Sequence, residues 1–327
     1  MIDTRPRHVP RLWSRPPRVT DVAECMLLLP GHMGLSPAQR AALPELWVRL
    51  LQEPSIISGV MEDRALPAGE RLQGWGVSIM LPQAMVRELE LETAPKPYIT
   101  RRIYEGLLAR TFAPMTDREI GVDNSRGELV NFVMHFGMRP TQSEAYFHSV
   151  LTMANDSFRA FTAGYQMRTI FYENSAAALP IAMSSGFEPR RLFDAEMLER
   201  LDPADRPALY GLTRDEAQRR LPGTPVRNSF EFQPPRFRFN ATQRRLLWEA
   251  LFDENDDWLQ SLLGVSTHGL KKLWRGIYER IDDVAPDFFG DAGDDDGKRG
   301  PEKRRQVLAY VRQRAEELRP WVATRGD

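Results

Sequence analysis

An α/β domain followed by a smaller all-α domain is the fold class that the sequence predicts, on three observations. Helical and extended apolar patterns alternate from Pro37 to Phe187, the stretch from Phe239 to Ile281 switches to three closely spaced helical patterns, and the proline-rich stretch Leu201 to Pro235 separates them. The 327 residues are long enough for two cores, and 42% hydrophobic with 27% charged residues excludes a disordered chain. The expected division is an amino-terminal arm over 1–20, an α/β domain over 21–200, a linker over 201–235 and a helical domain over 236–327.

The arm, rich in Arg and Pro, lacks the apolar core of a secretory signal. Pro37 to Leu51 predicts a helix, because Leu43, Leu46, Trp47, Leu50 and Leu51 fall at helical spacing. Ser58 to Glu62 and Leu72 to Leu81 predict strands, Ile99 to Phe112 a helix, and Glu128 to Met138 (ELVNFVMHFGM) a strand. A long helix over Ser143 to Thr162, a strand over Arg168 to Tyr172 and a short helix over Ser175 to Ser185 follow, the last stopping at Gly186. Within the linker, Thr213 is placed to cap a helix running to Leu221, with Asp215 and Glu216 in its first turn.

The helical domain carries the most information. Thr242 to Phe252 turns Leu246, Leu247, Ala250 and Leu251 inward, and Asp256 to Leu263 does the same with Trp258, Leu259, Leu262 and Leu263. Leu263-Gly264-Val265-Ser266 then makes a tight turn, with Gly264 suited to a left-handed cap and Ser266 to capping the next helix. That third helix, Thr267 to about Asp283, sets Leu270, Leu273, Trp274, Ile277, Tyr278 and Ile281 in one apolar stripe. Its remaining face bears His268, Lys271, Lys272, Arg275 and Arg280 against one acid, Glu279. A capped basic helix behind a short Gly-containing turn is what a major-groove reader requires: one face packs while the other meets phosphates and base edges. The candidate DNA contacts are Ser266, Thr267, His268, Lys271, Lys272, Arg275 and Arg280.

The segment LLWEALFDENDDWLQSLLGVSTHGLKKLWRGIYERI, Leu246 to Ile281, resembles the LuxR-type helix-turn-helix of bacterial transcription regulators. The turn Leu263 to Ser266, Lys271, Lys272, Arg275, Ile277 and Tyr278 carry the resemblance, and Gly269 departs from it, standing where the family usually has a side chain able to touch DNA. The resemblance implies double-stranded DNA as partner and a homodimer on a two-fold site. After the Gly- and Asp-rich stretch 290–300 (GDAGDDDGKRG), expected as a mobile loop, Pro301 opens a final helix with a stripe of Val307, Val311, Ala315 and Leu318. Lys303, Arg304 and Arg305 at its start oppose the helix dipole, a placement that hints at phosphate contact beside the plainer reading of a solvated cluster.

In the first domain, TIFYENSAAALPIAMSSGFEPRRLF and the strand, long helix, strand, short helix order from Glu128 to Phe187 resemble the carboxy-terminal half of a GNAT acyltransferase fold. Asn174, Ala176 to Ala178 and Gly186-Phe187 carry the resemblance, which implies a mixed sheet with helices and, as a possible cofactor, acyl-CoA. The family cradles the cofactor pyrophosphate on a Gly-rich turn before the long helix; here that connection is Gly137-Met138-Arg139-Pro140-Thr141-Gln142-Ser143, with one glycine and a proline that donates nothing. No cofactor is therefore predicted from the residues themselves. Glu62, Asp63, His135, Tyr165, Tyr172 and Glu173 are acid/base candidates without a partner by spacing, and His135 inside an apolar strand reads as a core histidine. Gly74-Trp75-Gly76 reads as a strand bulge, too short for a dinucleotide site.

Lys plus Arg (44) nearly cancel Asp plus Glu (45), so a nucleic-acid surface has to come from local segregation of charge, as on the third helix. One cysteine, Cys25, makes neither an internal disulfide nor a thiolate zinc site, and no apolar run approaches the roughly 20 residues that span a bilayer. A cytoplasmic protein without membrane or metal is expected. The function these readings predict is a DNA-binding transcription regulator whose first domain senses a small molecule or a partner. The rivals are an acyl-CoA-dependent N-acyltransferase with an accessory helical domain, and an interaction adaptor using the final helix.

Overall fold

The computed structural model describes residues 11–193, 198, 201–202, 205–290 and 299–323. Residues 1–10 of the expected arm and 291–298 of the expected mobile loop lie outside the described residues, and Leu12–Arg15 of that arm is paired into the sheet instead of standing apart from it.

Among the described residues, seven strands form one mixed sheet in the order β1-β2-β3-β4-β5-β7-β6. They are β1 (Leu12–Arg15), β2 (Ile56–Asp63), β3 (Leu72–Leu81), β4 (Leu129–Met138), β5 (Met167–Ser175), β6 (Glu188–Leu192) and β7 (Pro207–Thr213). Neighbours are antiparallel except β4 and β5, whose parallel register runs from Leu129↔Met167 to Val133↔Tyr172. Past that point both strands continue without pairing to each other, so the sheet opens between them.

The helices of this domain are α1 (Val22–Met26), α2 (Pro37–Leu50), α3 (Gln83–Glu88), α4 (Ile99–Ala109), α5 (Asp117–Arg126), α6 (Glu144–Thr162), α7 (Leu179–Ser185) and α8 (Arg214–Gln218). Capping boxes start three of them: Ser36 with Gln39 at α2, Thr116 with Glu119 at α5, and Thr213 with Glu216 at α8. Leu43, Leu46, Trp47 and Leu50 of α2 and Ile103, Tyr104 and Leu107 of α4 cover one face of the sheet in a core with Trp75, Phe132 and Met134. Helix α6 lies across β1, β2 and β3 on the other face. The mixed sheet, with α6 bridging its parallel pair and the small-residue segment after β5, has the strand, long helix, strand, short helix order that the sequence predicts.

The stretch 201–235 corrects the expected linker. Pro207–Thr213 is an interior strand, paired with β5 on one side and β6 on the other. Pro207 is tolerated because it is the strand's first residue. Every residue from Pro207 to Leu212 is buried, so the strand shows no alternation for a sequence reading to detect.

The helical domain follows as α9 (Ala241–Ala250), α10 (Asp256–Leu263), α11 (Thr267–Val284) and α12 (Arg299–Gln313), around a separate core of Phe237, Phe239, Leu246, Leu247, Leu259, Leu270, Ile277, Ile281, Val307 and Val311. It is docked on the first domain. Arg244 forks onto both oxygens of Asp117 at 2.7 Å, Asn124 donates to the Pro320 carbonyl at 2.8 Å, and Arg319 donates to the Ala163 carbonyl at 2.8 Å. Phe161 meets Trp248 edge-on with ring centroids 5.0 Å apart.

Candidate nucleic-acid interface and ligand slot

Helices α10 and α11 meet through the turn that the sequence predicts. Gly264 adopts φ +64°, a left-handed conformation that ends α10, and the Ser266 hydroxyl accepts the Gly269 amide at 3.2 Å to start α11. Thr267 donates its hydroxyl to Gln260 at 2.8 Å, fastening the two helices across the turn. Leu270, Trp274, Ile277 and Ile281 are buried against α9, α10 and α12, which leaves the opposite face of α11 to solvent.

The structure sorts the candidate DNA contacts into two sets. His268, Lys271, Lys272 and Arg275 are exposed on the amino-terminal half of α11, and their side chains make no hydrogen bond or ion pair among the described residues. Ser266 and Thr267 serve the turn, and Arg280 spends its guanidinium on the Phe237 carbonyl at 2.7 Å. The cluster at the start of α12 is paired as well, Lys303 and Arg304 with neighbouring helices and Arg305 along its own. Lys303 pairs with Asp282 at 3.7 Å and Arg305 with Glu302 at 2.7 Å. Arg304 pairs with Asp256 at 2.7 Å while covering the Trp274 ring. Helix α12 thus packs back on the bundle, and the hint of phosphate contact at its start gives way to these pairings.

In the first domain the open end of the sheet is closed from the α2 face. Glu173, on β5 just past the last pair with β4, accepts the amides of both Ile99 and Thr100 at 2.7 Å. The Thr100 hydroxyl donates to the Met134 carbonyl of β4 at 2.8 Å. The first turn of α4 is therefore wedged between the diverging strands, and its otherwise orphaned amides are satisfied by a buried carboxylate. Burial raises the Glu173 carboxyl while those amides draw it down.

His135 is fully buried, with its Nε2 3.0 Å from the Tyr104 hydroxyl and its ring edge-on to Trp75, and burial drives its pKa down to about 3. It is a neutral core histidine, as its sequence context indicates. His32, also enclosed, is lowered by burial to about 4. Glu62 pairs with Arg15 at 2.9 Å, and the Tyr146 hydroxyl donates to Asp63 at 2.9 Å, so the acid/base candidates serve separate structural contacts. Tyr165 lies under the Arg319 guanidinium, and burial pushes the Tyr172 hydroxyl up.

The other side of the same opening holds a slot of about 110 Å³. Gly59, Gly76, Val133, Phe158, Phe161 and Tyr172 are among its walls, with Asn155 and Arg159 of α6 as polar members. In the turn ahead of α6 the Arg139 amide donates to the Gln73 carbonyl and its guanidinium to Glu24, while Ser143 and Tyr146 donate their amides to the Thr141 and Ser143 hydroxyls. Among the described residues no group of three or more His, Cys, Asp or Glu side chains is placed to hold a metal ion, and no helix is long and apolar enough to cross a membrane.

Sequence reasoning missed Glu173 as a helix cap and the whole docking surface of the two domains, since Asp117 and Arg244 stand 127 positions apart. The Thr116-to-Glu119 capping box was the available signal for α5.

No family model matches the chain, and no curated protein sequence does. Among solved structures, the chain is similar to a variant of the spermidine N-acetyltransferase SpeG from Vibrio cholerae, at 13% identity and a TM-score of 0.36, over 62% of this chain and 94% of that one. FeeM, an N-acyl amino acid synthase from uncultured soil microbes, is similar at 14% identity and 0.34, over 64% and 96%. The NatC complex bound to Gag peptide and CoA is similar at 12% identity and 0.35, over 62% and 98%.

Proposed function

We propose that the chain is a DNA-binding transcription regulator in which α11 enters the major groove and the GNAT-like domain is a ligand-binding partner. One observation carries the reading: His268, Lys271, Lys272 and Arg275 stand exposed on the first half of α11 with no hydrogen bond or ion pair among the described residues, whereas Arg280, Lys303, Arg304 and Arg305 are engaged. Solvated lysines on an isolated helix would mean little. Here they share a helix whose opposite face is a packed core and whose start is fixed by the Gly264 turn, so their positions relative to a duplex are set in advance. A single short helix reads few base pairs, so the reading includes a homodimer on a two-fold site, acting in the cytoplasm where such sites are accessible.

The test is fluorescence anisotropy of the full chain with labelled promoter fragments from its own genome, over a salt series with nonspecific competitor DNA. Competitor-resistant binding that weakens steeply with salt is the expected result. Loss of all binding once competitor is added sinks the reading.

The acyltransferase reading is the second, favoured by the GNAT-like sheet and the slot at its opening. Against it stand the single glycine and Pro140 in the connection before α6, and the wedge of α4, which separates the slot from the α2 face of the sheet. Saturable acyl-CoA turnover with an amine acceptor would reverse the order of the two readings.

A further inference from the structure

We propose that the cleft between the two domains binds a small organic cation, an ammonium carried on an apolar body, with Glu249 and Glu53 as its counter-charges. The proposal goes beyond the DNA-binding reading and stands whether or not α11 meets a duplex.

The cleft has the size and setting of a ligand site. It holds about 780 Å³ and lies at a domain boundary, where small-molecule sites concentrate. One wall belongs to the first domain, from the chain that leaves β1 through Arg18 and from the loop between α2 and β2. The other is built by α9 and α10, so neither domain makes the site alone. A ligand held between the walls therefore binds the docked arrangement and stabilises it.

The charges on the walls name the occupant. Arg15 pairs with Glu62 and Asp21, Arg18 with Asp253, and Arg244 with Asp117. Arg319 donates to the Ala160 and Ala163 carbonyls at the end of α6, and Arg245 to Gln52 at 2.9 Å. Every guanidinium on the walls is thus engaged, and an anion finds no uncommitted partner. The Glu249 and Glu53 carboxylates, one from each domain, make no hydrogen bond or ion pair among the described residues. Burial holds the Glu249 carboxyl above its usual range although Arg245 and Arg18 draw it down. An enclosed carboxylate without a partner is costly, and an ammonium brought beside it offers up to three donors. Aromatic rings select the body that carries the charge: Trp248, Phe252 and Trp258 line the cleft. Two of them already face cations, Trp258 under Arg18 at 4.1 Å and Trp248 under Arg319 at 5.0 Å. A bare metal ion is not the occupant, since no group of three or more His, Cys, Asp or Glu side chains among the described residues is placed to hold one.

The experiment uses the full chain with three probes of similar size, phenethylammonium, 2-phenylethanol and 3-phenylpropionate, reading binding by calorimetry and hydrogen exchange over Ala241–Ala250. Phenethylammonium is expected to bind saturably and at least about tenfold more tightly than either other probe, the scale of one charge-assisted hydrogen bond. Exchange in α9 slows about fivefold at a probe concentration about four times its dissociation constant. Glu249→Gln erases the preference for the cation and folds at least as stably as the parent, because it removes an enclosed charge that has no partner. Glu53→Gln weakens the cation about threefold and is the second variant if Glu249→Gln does not fold. Absence of saturable phenethylammonium binding, equal affinity for the three probes, unchanged α9 exchange, or a preference for the cation that survives in both variants overturns the proposal. So does a loss of stability in Glu249→Gln with the preference intact, which marks a structural carboxylate. None of these measurements uses DNA, so a failed duplex titration refutes the DNA-binding reading and leaves this proposal standing.

Discussion

Glu173 holds Thr100 in place across the opening of the sheet: the carboxylate accepts the Thr100 amide at 2.7 Å, and the Thr100 hydroxyl in turn donates to the Met134 carbonyl at 2.8 Å. Both strands at the opening are thus tied to the first turn of α4. Glu173→Ala leaves two buried amides without acceptors and lowers stability by about 2–4 kcal/mol, read by chemical denaturation. Glu173→Gln keeps one amide acceptor and costs about half as much. Equal stability in all three proteins would mean that the wedge does not depend on this cap.

Two enclosed histidines give the fold a one-sided pH dependence. In the folded chain His135 has its pKa held down to about 3 and His32 to about 4, against 6.5 for the free side chain. The unfolded chain takes up protons that the folded chain refuses, so stability is fully present above pH 6.5 and declines as pH falls below it. Measured in the range from 6.5 down to about 4.5, before most carboxylates titrate, the decline should become shallower in His135→Gln than in the parent protein. A slope that is the same in both proteins would place His135 in contact with water.

The docking of the two domains has its own test at Arg244, which is buried, forks onto Asp117 and also donates to the Phe239 carbonyl. Arg244→Ala leaves that carbonyl without its donor and removes the Nη2 contact to both Asp117 oxygens, for a drop of about 1–3 kcal/mol. The expected signature is a helical domain that melts ahead of the sheet in place of one joint transition. A double-mutant cycle with Asp117→Asn separates the inter-domain pair from the local hydrogen bond.

These features divide by how far apart their partners lie in sequence. The third helix was legible almost to the residue, because its stripe, the Ser266 cap and the Gly264 stop all sit within a few positions of one another. Strand β7 was not, since Pro207–Leu212 is buried on both faces and carries neither alternation nor helical spacing. At the site, Lys271, Lys272 and Arg275 could be picked from charge segregation alone, but only packing reveals that Arg280 on the same helix is tied to Phe237. The partners of Glu173 and Phe161 were invisible for a related reason: what each touches, Ile99 and Thr100 for one and Trp248 for the other, is brought to it by the tertiary fold.

That division between free and committed cations makes the sharpest prediction for α11. Lys272→Ala and Arg275→Ala each remove an exposed charge that no acid among the described residues pairs with, so stability stays within about 0.5 kcal/mol of the parent. DNA affinity falls, and the slope of log affinity against log salt flattens by about 0.9 for each phosphate left without its cation. Arg280→Ala behaves in the opposite way: the Phe237 carbonyl is deprived of its donor, stability drops by about 1–2 kcal/mol, and the salt slope is preserved. Salt titrations of the three variants beside denaturation curves decide the matter, because a merely solvated basic face would leave all three slopes equal to the parent's. An Arg280→Ala slope that flattens as much as the other two would show that its guanidinium leaves Phe237 to meet the duplex.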